Sequence, residues 1–128
     1  FSGNIEAERF LSGLFIYTDR MFEQVVYEMV ENSLSYGGVG VKIRFSYLTT
    51  DEGLILVIED NGPGIADHEK TLIFSRTYQN RHGYGLYLAT EILDITGIHI
   101  REVGLEGSGA RFEIVVPDGG YRLAPKAG

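Results

Sequence analysis

Apolar residues recur along this chain with two different periods, which predict both helices and strands. From Asp19 to Tyr36 they recur every three or four positions, which predicts a helix capped by Asp19 and stopped by Gly37 and Gly38. From Val41 to Tyr47 apolar and polar residues alternate, which predicts a strand with one polar face. The chain therefore mixes the two kinds of element.

The run from Leu54 to Glu59 is apolar over its first five positions, which is typical of a strand buried on both faces. Residues 66–82 are polar and irregular. The remaining pattern predicts a short edge strand at Leu14–Tyr17, a second helix at Tyr84–Leu93, and strands at Ile98–Val103 and Arg111–Val116.

The order of these elements predicts the fold class. Consecutive strands follow each other with short connections, so the sheet should be mixed but mostly antiparallel. Helices on one face of such a sheet make a two-layer α/β sandwich of the α+β class. At 128 residues we expect one domain spanning 1–128, with a hydrophobic core large enough to be stable without disulfides or a structural metal. Because the chain starts at Phe1, we expect it to be a fragment of a larger protein.

Charge and cysteine content narrow the function classes. The 18 acidic and 11 basic residues leave a net charge of −7, which is unfavourable for nucleic-acid binding because phosphate contacts need clustered lysine and arginine. The chain has no cysteine, so it has no disulfide framework, which fits a reducing cytoplasm. No apolar run is long enough to cross a bilayer, so we expect no direct membrane contact by this domain.

A first candidate site follows the apolar strand. Asp60 begins the sequence Asp-Asn-Gly-Pro-Gly, in which Gly62 and Gly64 allow a sharp turn and close approach of a ligand. An ordinary turn is the alternative, because these residue types dominate turns. A carboxylate in a pocket accepts a hydrogen bond from the exocyclic amine of adenine and repels the carbonyl of guanine. If Asp60 lies in such a pocket, it selects adenine.

A second candidate lies on the first helix. Glu28 and Asn32 are four residues apart and share one face, which Ser35 and Tyr36 extend by a turn. A carboxylate beside a carboxamide suits Mg²⁺, which takes one or two oxygen ligands from protein and the rest from phosphates and water. Glu28 could instead accept a proton from an attacking nucleophile. A solvated polar helix face is the alternative.

Two glycine-containing segments complete the set. His82-Gly83-Tyr84-Gly85-Leu86 begins the second helix, where exposed N–H groups and the helix dipole favour an anion. It is neither a Walker loop nor a Rossmann fingerprint. Gly107-Ser108-Gly109-Ala110 precedes the last long strand and also reads as a tight turn.

Taken in this order, the four segments resemble the N, G1, G2 and G3 boxes of the GHKL ATPase superfamily, which includes sensor histidine kinases, type II topoisomerases, Hsp90 and MutL. The likeness is greatest to the catalytic and ATP-binding domain of sensor histidine kinases, and it extends from about Leu14 to Tyr121. Val25–Tyr36 is similar to the N box and Leu72–Phe74 to the kinase F box. The closing run from Gly109 to Arg122 looks like that of archaeal members.

The resemblance implies a Bergerat fold, ATP and Mg²⁺ as cofactors, and a role for each matching residue. Asn32 would ligate Mg²⁺, Glu28 would assist the incoming histidine near the transferred phosphate, and Asp60 would bind the adenine amine. Residues 66–82 would form the ATP lid, anchored by Phe74. The residues implied in ATP binding are Asn32, Tyr36, Asp60, Gly62, Gly64, Ile65, Arg81, His82, Gly83, Tyr84, Gly85, Leu86 and Ala110.

This chain departs from the usual boxes at three positions. Ser35 stands where many kinases have a basic residue, Arg81 replaces the first glycine of the G2 box, and Ala110 replaces the usual threonine.

The resemblance also implies partners. The γ-phosphate would pass to a histidine on a separate helical dimerisation domain, and then to a response regulator receiver domain. This domain would be cytoplasmic, and membrane anchoring of the parent protein stays open. Two alternatives stay open from the sequence: a serine kinase of the anti-sigma-factor type, and a nucleotide-binding regulatory module without kinase activity.

Overall fold

The computed structural model describes residues 5–6, 14–16, 22–37, 40–75 and 85–123. Its strands and helices follow the order β1 (Ile5–Glu6), β2 (Leu14–Ile16), α1 (Phe22–Gly37), β3 (Ile43–Thr50), β4 (Gly53–Asp60), the 3₁₀ turns Asp67–Glu69 and Leu72–Phe74, α2 (Gly85–Asp94), β5 (His99–Glu102), β6 (Arg111–Val116) and β7 (Tyr121–Leu123). Among these residues no helix is both long and apolar enough to cross a membrane.

The strands form two sheets. Five strands pair in the order β1-β3-β4-β6-β5, and β2 pairs with β7 in a separate antiparallel ribbon. Pairing in the large sheet is antiparallel except between β1 and β3. Helices α1 and α2 pack together with the sheet in one apolar core. The predicted two-layer α+β fold with a mostly antiparallel sheet is confirmed.

The central strand is buried on both faces, as its apolar run predicts. Every residue from Leu54 to Ile58 is at most 4% exposed. Leu54, Leu56 and Ile58 belong to the core beneath the helices, whereas Ile55 and Val57 form a small cluster with Val115 on the other face. Because β4 lies between β3 and β6, it holds its last residue, Asp60, at the end of the most buried strand.

Charged side chains continue across the face of the sheet that carries Ile55 and Val57. Arg101 bridges Glu113 at 2.8 Å and Glu52 at 3.2 Å, and Arg111 bridges Glu113 at 3.0 Å and Glu59 at 3.5 Å. These five side chains form an outer-face ion-pair chain that runs from the β3–β4 hairpin to the end of β4.

The structure corrects the predicted bounds of β3. The strand runs from Ile43 to Thr50 instead of from Val41 to Tyr47. The Thr50 hydroxyl accepts a hydrogen bond from the Glu52 N–H at 3.1 Å and donates one to the Gly53 carbonyl at 3.2 Å, which closes a hairpin and extends the pairing to its tip.

Other predicted bounds shift by a few residues. Helix α1 begins at Phe22, three residues after the predicted cap Asp19, which lies outside the described residues together with Gly38. Helix α2 occupies Gly85–Asp94 and β5 only His99–Glu102, whereas β6 has the predicted bounds. Strand β2 lies at the predicted position, over Leu14–Ile16. Strands β1 and β7 were not predicted, because they are defined by pairing with partners distant in the sequence.

Candidate functional site

Asp60 is held at the end of β4 by the backbone of two loops. Its Oδ1 accepts hydrogen bonds from the N–H of Gly62 at 2.9 Å and of Ala110 at 3.1 Å. Its own N–H donates to the Ala110 carbonyl at 2.9 Å. Within the described residues no hydrogen bond reaches Oδ2. One carboxylate oxygen therefore fixes the side chain, and the other is left for a ligand.

The turn after Asp60 is fastened on both sides. The Asn61 side-chain oxygen accepts from the Lys42 N–H at 2.7 Å, and the Asn61 N–H donates to the Lys42 carbonyl at 3.3 Å. Further along, the Pro63 carbonyl accepts from the Gly107 N–H at 2.7 Å. The Asp60 turn is thus packed against the loop that carries Gly107 and Ala110.

Gly64 cannot be replaced without strain. Its φ of +76° is in the left-handed region, and a Cβ there would lie 2.9 Å from the carbonyl oxygen of Leu105. The close approach expected from the sequence is therefore made by the protein's own loop. Gly62, in contrast, serves the site through its N–H bond to Asp60.

A cavity of about 100 Å³ opens beside Asp60. It brings together side chains from α1, β4, the Asp60 turn, the 3₁₀ turns, α2 and the start of β6. Its lining residues are Asn32, Asp60, Pro63, Gly64, Ile65, Glu69, Ile73, Leu86 and Ala110. Besides Asp60, five of these residues were predicted from the sequence: Asn32, Gly64, Ile65, Leu86 and Ala110. They come from four separate segments of the chain and meet at one cavity.

Asn32 and Glu28 differ in their surroundings although they share one helix. Asn32 is only 7% exposed and lines the cavity, and within the described residues no side-chain hydrogen bond to it is found. The alternative of a solvated helix face does not apply to a side chain this buried. Glu28, one turn earlier, is half-buried and does not line the cavity.

Glu28 lies next to a carboxylate-rich stretch of α1. The negative charge of Glu31 raises the pKa of Tyr27, and partial burial, a hydrogen bond from Tyr27 to Glu31 and the charge of Glu28 act in the same direction. This flank of α1 therefore carries the negative charges of Glu28 and Glu31 close to one another.

The segment after Ile65 forms another wall of the cavity. Two consecutive 3₁₀ turns hold residues 67–74, with N–H bonds from Glu69 to Ala66 at 2.9 Å and from Phe74 to Thr71 at 3.3 Å. Phe74 packs edge-on against Phe112 of the core, with ring centroids 6.2 Å apart. This contact holds the described part of the predicted lid, residues 66–75, against the core, and the rest of the lid lies outside the described residues.

Helix α2 supplies the last predicted segment. Gly85 is its first residue, and Leu86 is buried at 3% exposure where it lines the cavity. Arg81, His82, Gly83 and Tyr84 lie outside the described residues, as does the side chain of Tyr36. The predicted phosphate cradle is therefore located only by the helix that follows it.

Three cavity residues were not predicted from the sequence. Pro63 lies inside a recognised motif, and the turn around it was the signal that could have found it. Ile73 lies in the F-box-like segment Leu72–Phe74, which by itself assigns it no contact with a ligand. Glu69 lies in a segment read as polar and irregular, where nothing in the sequence distinguishes it from its acidic neighbours.

The chemistry of the cavity suits a divalent cation that is bound together with phosphates. Among the described residues no three His, Asp or Glu side chains gather into a metal centre. Asn32 nevertheless offers a carboxamide oxygen at the cavity wall, and one protein oxygen is a common share for Mg²⁺. The residues present fit a cation whose other ligands come from nucleotide and water.

Comparison with known proteins identifies the family of this site. A sequence model of the family described as histidine kinase-, DNA gyrase B-, and HSP90-like ATPase matches residues 18–120. The chain belongs to this family. The matched range includes every residue that lines the cavity, so the resemblance drawn from the four boxes is confirmed.

Similar sequences include sensor kinases of two bacteria. The chain is 34% identical over 116 residues to sensor histidine kinase GraS of Staphylococcus haemolyticus, covering 83% of this chain and 33% of GraS. It is 30% identical over 105 residues to the alginate biosynthesis sensor protein KinB of Pseudomonas aeruginosa, covering 77% of this chain and 18% of KinB. These relatives lend no support to the archaeal likeness of the closing run.

Solved structures share the fold. The nucleotide-free catalytic domain of histidine kinase ThkA superposes with a TM-score of 0.65 at 24% identity, covering 85% of this chain and 71% of that one. The mycobacterial sensor histidine kinase MprB gives a TM-score of 0.67 at 21% identity, covering 96% and 86%. The chain spans no more than a third of the length of GraS and KinB.

Proposed function

We propose that this chain is the ATP-binding catalytic domain of a two-component sensor histidine kinase. The observation that carries the proposal is the meeting of Asn32 and Asp60 at one cavity, although 27 residues separate them in the sequence. A carboxylate that accepts from the adenine amine and a carboxamide that ligates the metal are two groups that bind the two ends of Mg-ATP. The family match and the sensor-kinase relatives favour this function over a serine kinase or a module without catalysis.

Asp60 is proposed to select the base. Its Oδ1 is occupied by two backbone N–H groups, so Oδ2 is the oxygen available to the exocyclic amine of adenine. Guanine would place a carbonyl oxygen there instead, so that Asp60 Oδ2 and the base would be two acceptors facing each other with no donor between them. Ile65 and Leu86 offer apolar surface for the faces of the base, and Ala110 closes the back of the pocket.

Asn32 is proposed to hold Mg²⁺ against the nucleotide phosphates. When bound, the ion neutralises charge that develops on the transferred phosphoryl group. The remaining phosphate contacts are assigned to Tyr36, to the N–H groups of Gly83 and Gly85, and to the flanking side chains of Arg81, His82 and Tyr84. This assignment rests on the resemblance and on the start of α2 at Gly85.

Glu28 is proposed as the residue that assists the incoming nucleophile. It lies one helical turn from Asn32 and outside the cavity lining, where it could meet a partner's side chain without contacting the base. A carboxylate there can accept a proton or orient the attacking imidazole. Transfer then depends on positioning and charge neutralisation, with no covalent intermediate on this domain.

The phospho-acceptor is proposed to be a histidine on a separate helical dimerisation domain, with a receiver domain as the next acceptor. The side chains of His68 and His99 are 80% and 75% exposed, and neither lines the cavity. A tethered partner domain supplies its histidine at an effective concentration in the millimolar range, about the level that short flexible linkers give. A cytoplasmic setting fits this arrangement.

Calorimetric titration with Mg-ATP and Mg-GTP tests the first half of this proposal. We expect saturable binding of Mg-ATP and much weaker binding of Mg-GTP. Equal binding of both nucleotides would remove the base assignment, and no binding of either would remove the nucleotide site altogether.

Addition of the purified dimerisation domain from the same parent tests the second half. We expect slow transfer of label from ATP to its histidine, giving an acid-labile, base-stable product. Acid-stable label on a serine of a partner would instead identify a serine kinase. ATP binding with no transfer to any partner domain would identify a regulatory module.

A further inference from the structure

A buried ion pair, outside the cavity lining, joins two chain segments that each carry a wall of the cavity. Lys70 Nζ donates hydrogen bonds to Glu102 Oε1 and to the Gly104 carbonyl, the latter at 2.8 Å. The Glu102 side chain is fully buried, and that of Lys70 is 18% exposed. Neither residue lines the cavity, and neither belongs to the four boxes.

Glu102 does more than pair with a lysine. Its second oxygen, Oε2, accepts the N–H of Gly104 at 3.0 Å and the N–H of Arg111 at 2.8 Å. The loop backbone wraps closely around the carboxylate, since a Cβ on Gly104 would lie 2.7 Å from Oε2. Glu102 therefore fixes both ends of the loop between β5 and β6.

Lys70 is adjacent in sequence to a residue that lines the cavity, and Glu102 is bonded to the backbone next to another. Lys70 follows Glu69 and precedes Ile73 in the 3₁₀ segment, and both of those residues line the cavity. Glu102 holds the N–H of Arg111, and the preceding N–H, that of Ala110, donates to Asp60 Oδ1. The pair thus ties the wall formed by the 3₁₀ turns to the wall that orients Asp60.

An ion pair at this place has a different use from an apolar contact. Burying two charges costs free energy that their attraction and hydrogen bonds must offset, so such a pair is weak support for stability alone. It is directional, however, because two hydrogen bonds from Lys70 join the 3₁₀ segment to the loop, and two further bonds to Glu102 fix the loop itself. Its structural effect is therefore to set the distance between two pocket walls.

We propose that Lys70 and Glu102 are positioning residues that hold the adenine pocket of this domain in its binding geometry. The proposal rests on the proposed function, because it deepens the same nucleotide site. Lys70 keeps the wall of Glu69 and Ile73 against the base, and Glu102 keeps Ala110 aligned so that Asp60 presents its free oxygen. Neither side chain lines the cavity, and both act on the walls next to Asp60, so we expect their effect on binding of the base and not of the metal.

The test compares Lys70→Met with a conservative variant and a neighbouring control. Lys70→Met removes the charge and the donor, whereas Lys70→Arg keeps both. Thr71→Ala changes the next side chain, which is exposed and makes no capping hydrogen bond. All are studied below their melting temperature, as checked by circular dichroism. If Lys70→Met is unfolded there, Lys70→Gln takes its place, because it keeps a neutral donor.

We expect Lys70→Met to lower the affinities for adenosine and for ATP by the same factor, about tenfold. This is the loss expected when one hydrogen bond to a charged group, that from the adenine amine to Asp60, is weakened. The ratio of ATP affinities with and without Mg²⁺ should be unchanged, Lys70→Arg should recover most of the affinity, and Thr71→Ala should equal the wild type. A loss confined to the Mg²⁺-dependent part of ATP binding would overturn the proposal, as would wild-type adenosine affinity in a folded Lys70→Met protein.

A second readout needs no nucleotide and separates this proposal from the proposed function. Amide hydrogen exchange of Ala110, whose N–H is bonded to Asp60, should be faster in ligand-free Lys70→Met than in Thr71→Ala. Unchanged exchange at Ala110 would overturn the positioning role even if the wild type binds ATP. Faster exchange together with no ATP binding by the wild type would contradict only the nucleotide assignment.

Discussion

The substitution Asp60→Asn separates two roles of this residue, recognition of the base and stabilisation of the turn. In the wild type, Oδ1 accepts two backbone N–H bonds at 2.9 and 3.1 Å. An asparagine in the same rotamer keeps these bonds through its own oxygen, which forces its amide nitrogen into the place of Oδ2. A donor then faces the adenine amine, which is also a donor, so the hydrogen bond is lost while the turn stays fastened.

The size of the effect follows from the bond that is removed. A hydrogen bond to a charged group contributes roughly 1.5–3 kcal/mol, which corresponds to an ATP affinity lower by about 10- to 150-fold. The unfolding free energy should change little. Asp60→Ala is the matched control, because it leaves the N–H groups of Gly62 and Ala110 without their acceptor and should cost about 1–3 kcal/mol of stability.

The assay is calorimetric titration with ATP and with inosine triphosphate, combined with thermal melting. Inosine carries a carbonyl where adenine has its amine, so the asparagine nitrogen can donate to it. We therefore expect Asp60→Asn to favour inosine triphosphate over ATP, reversing the wild-type order. Unchanged ATP affinity in a folded Asp60→Asn protein would refute the reasoning, as would a melting temperature that falls as far as that of Asp60→Ala.

Three further predictions concern the metal, the turn and the transfer step. Asn32→Ala should abolish the Mg²⁺-dependent part of ATP binding in calorimetry while adenosine affinity stays nearly the same; equal Mg²⁺ dependence would remove Asn32 from the metal site. Gly64→Ala should lower the free energy of unfolding, measured in urea, by more than the roughly 1–2 kcal/mol that left-handed backbone strain costs, because its Cβ would also clash with the Leu105 carbonyl. The control Gly40→Ala has φ +85° and open space around the Cβ, so it should lose only the strain energy. Equal losses in the two variants would contradict this prediction. The isolated chain should take no label from ATP, and with an added dimerisation domain Glu28→Ala should reduce the transfer rate more than ATP affinity; label on the isolated chain would exclude the separate acceptor.

The hydrophobic patterns of single segments predicted most of the fold, because each pattern shows which side chains of that segment are buried. The apolar run at Leu54–Ile58 is continuous, and the strand is buried on both faces. The spacing along α1 predicts its buried positions Met29 and Val30. Strands β1 and β7 escape this kind of prediction, because they are defined by pairing with distant partners and not by a period.

The candidate site was predictable only where its residues belong to motifs. Asp60 and Asn32 could be named from sequence, since carboxylate and carboxamide chemistry at those positions points to a ligand. Glu69 and the Lys70–Glu102 pair could not, because the two partners are 32 positions apart in the sequence and only the fold brings the 3₁₀ segment to the end of β5. Charged residues in a polar segment otherwise read as solvent-exposed.

Strand β5 bears on how this protein behaves at high concentration. It forms one edge of the five-stranded sheet, and an edge strand can pair with the backbone of another molecule and begin aggregation. This edge is only four residues long, and Arg101 at its centre is engaged by Glu113 and Glu52 of the outer-face ion-pair chain. A second molecule would have to add its strand beside this ion-paired arginine, and each of the two chains carries a formal net charge of −7. The ion pairs that cross the sheet thus also discourage its growth from one molecule into the next.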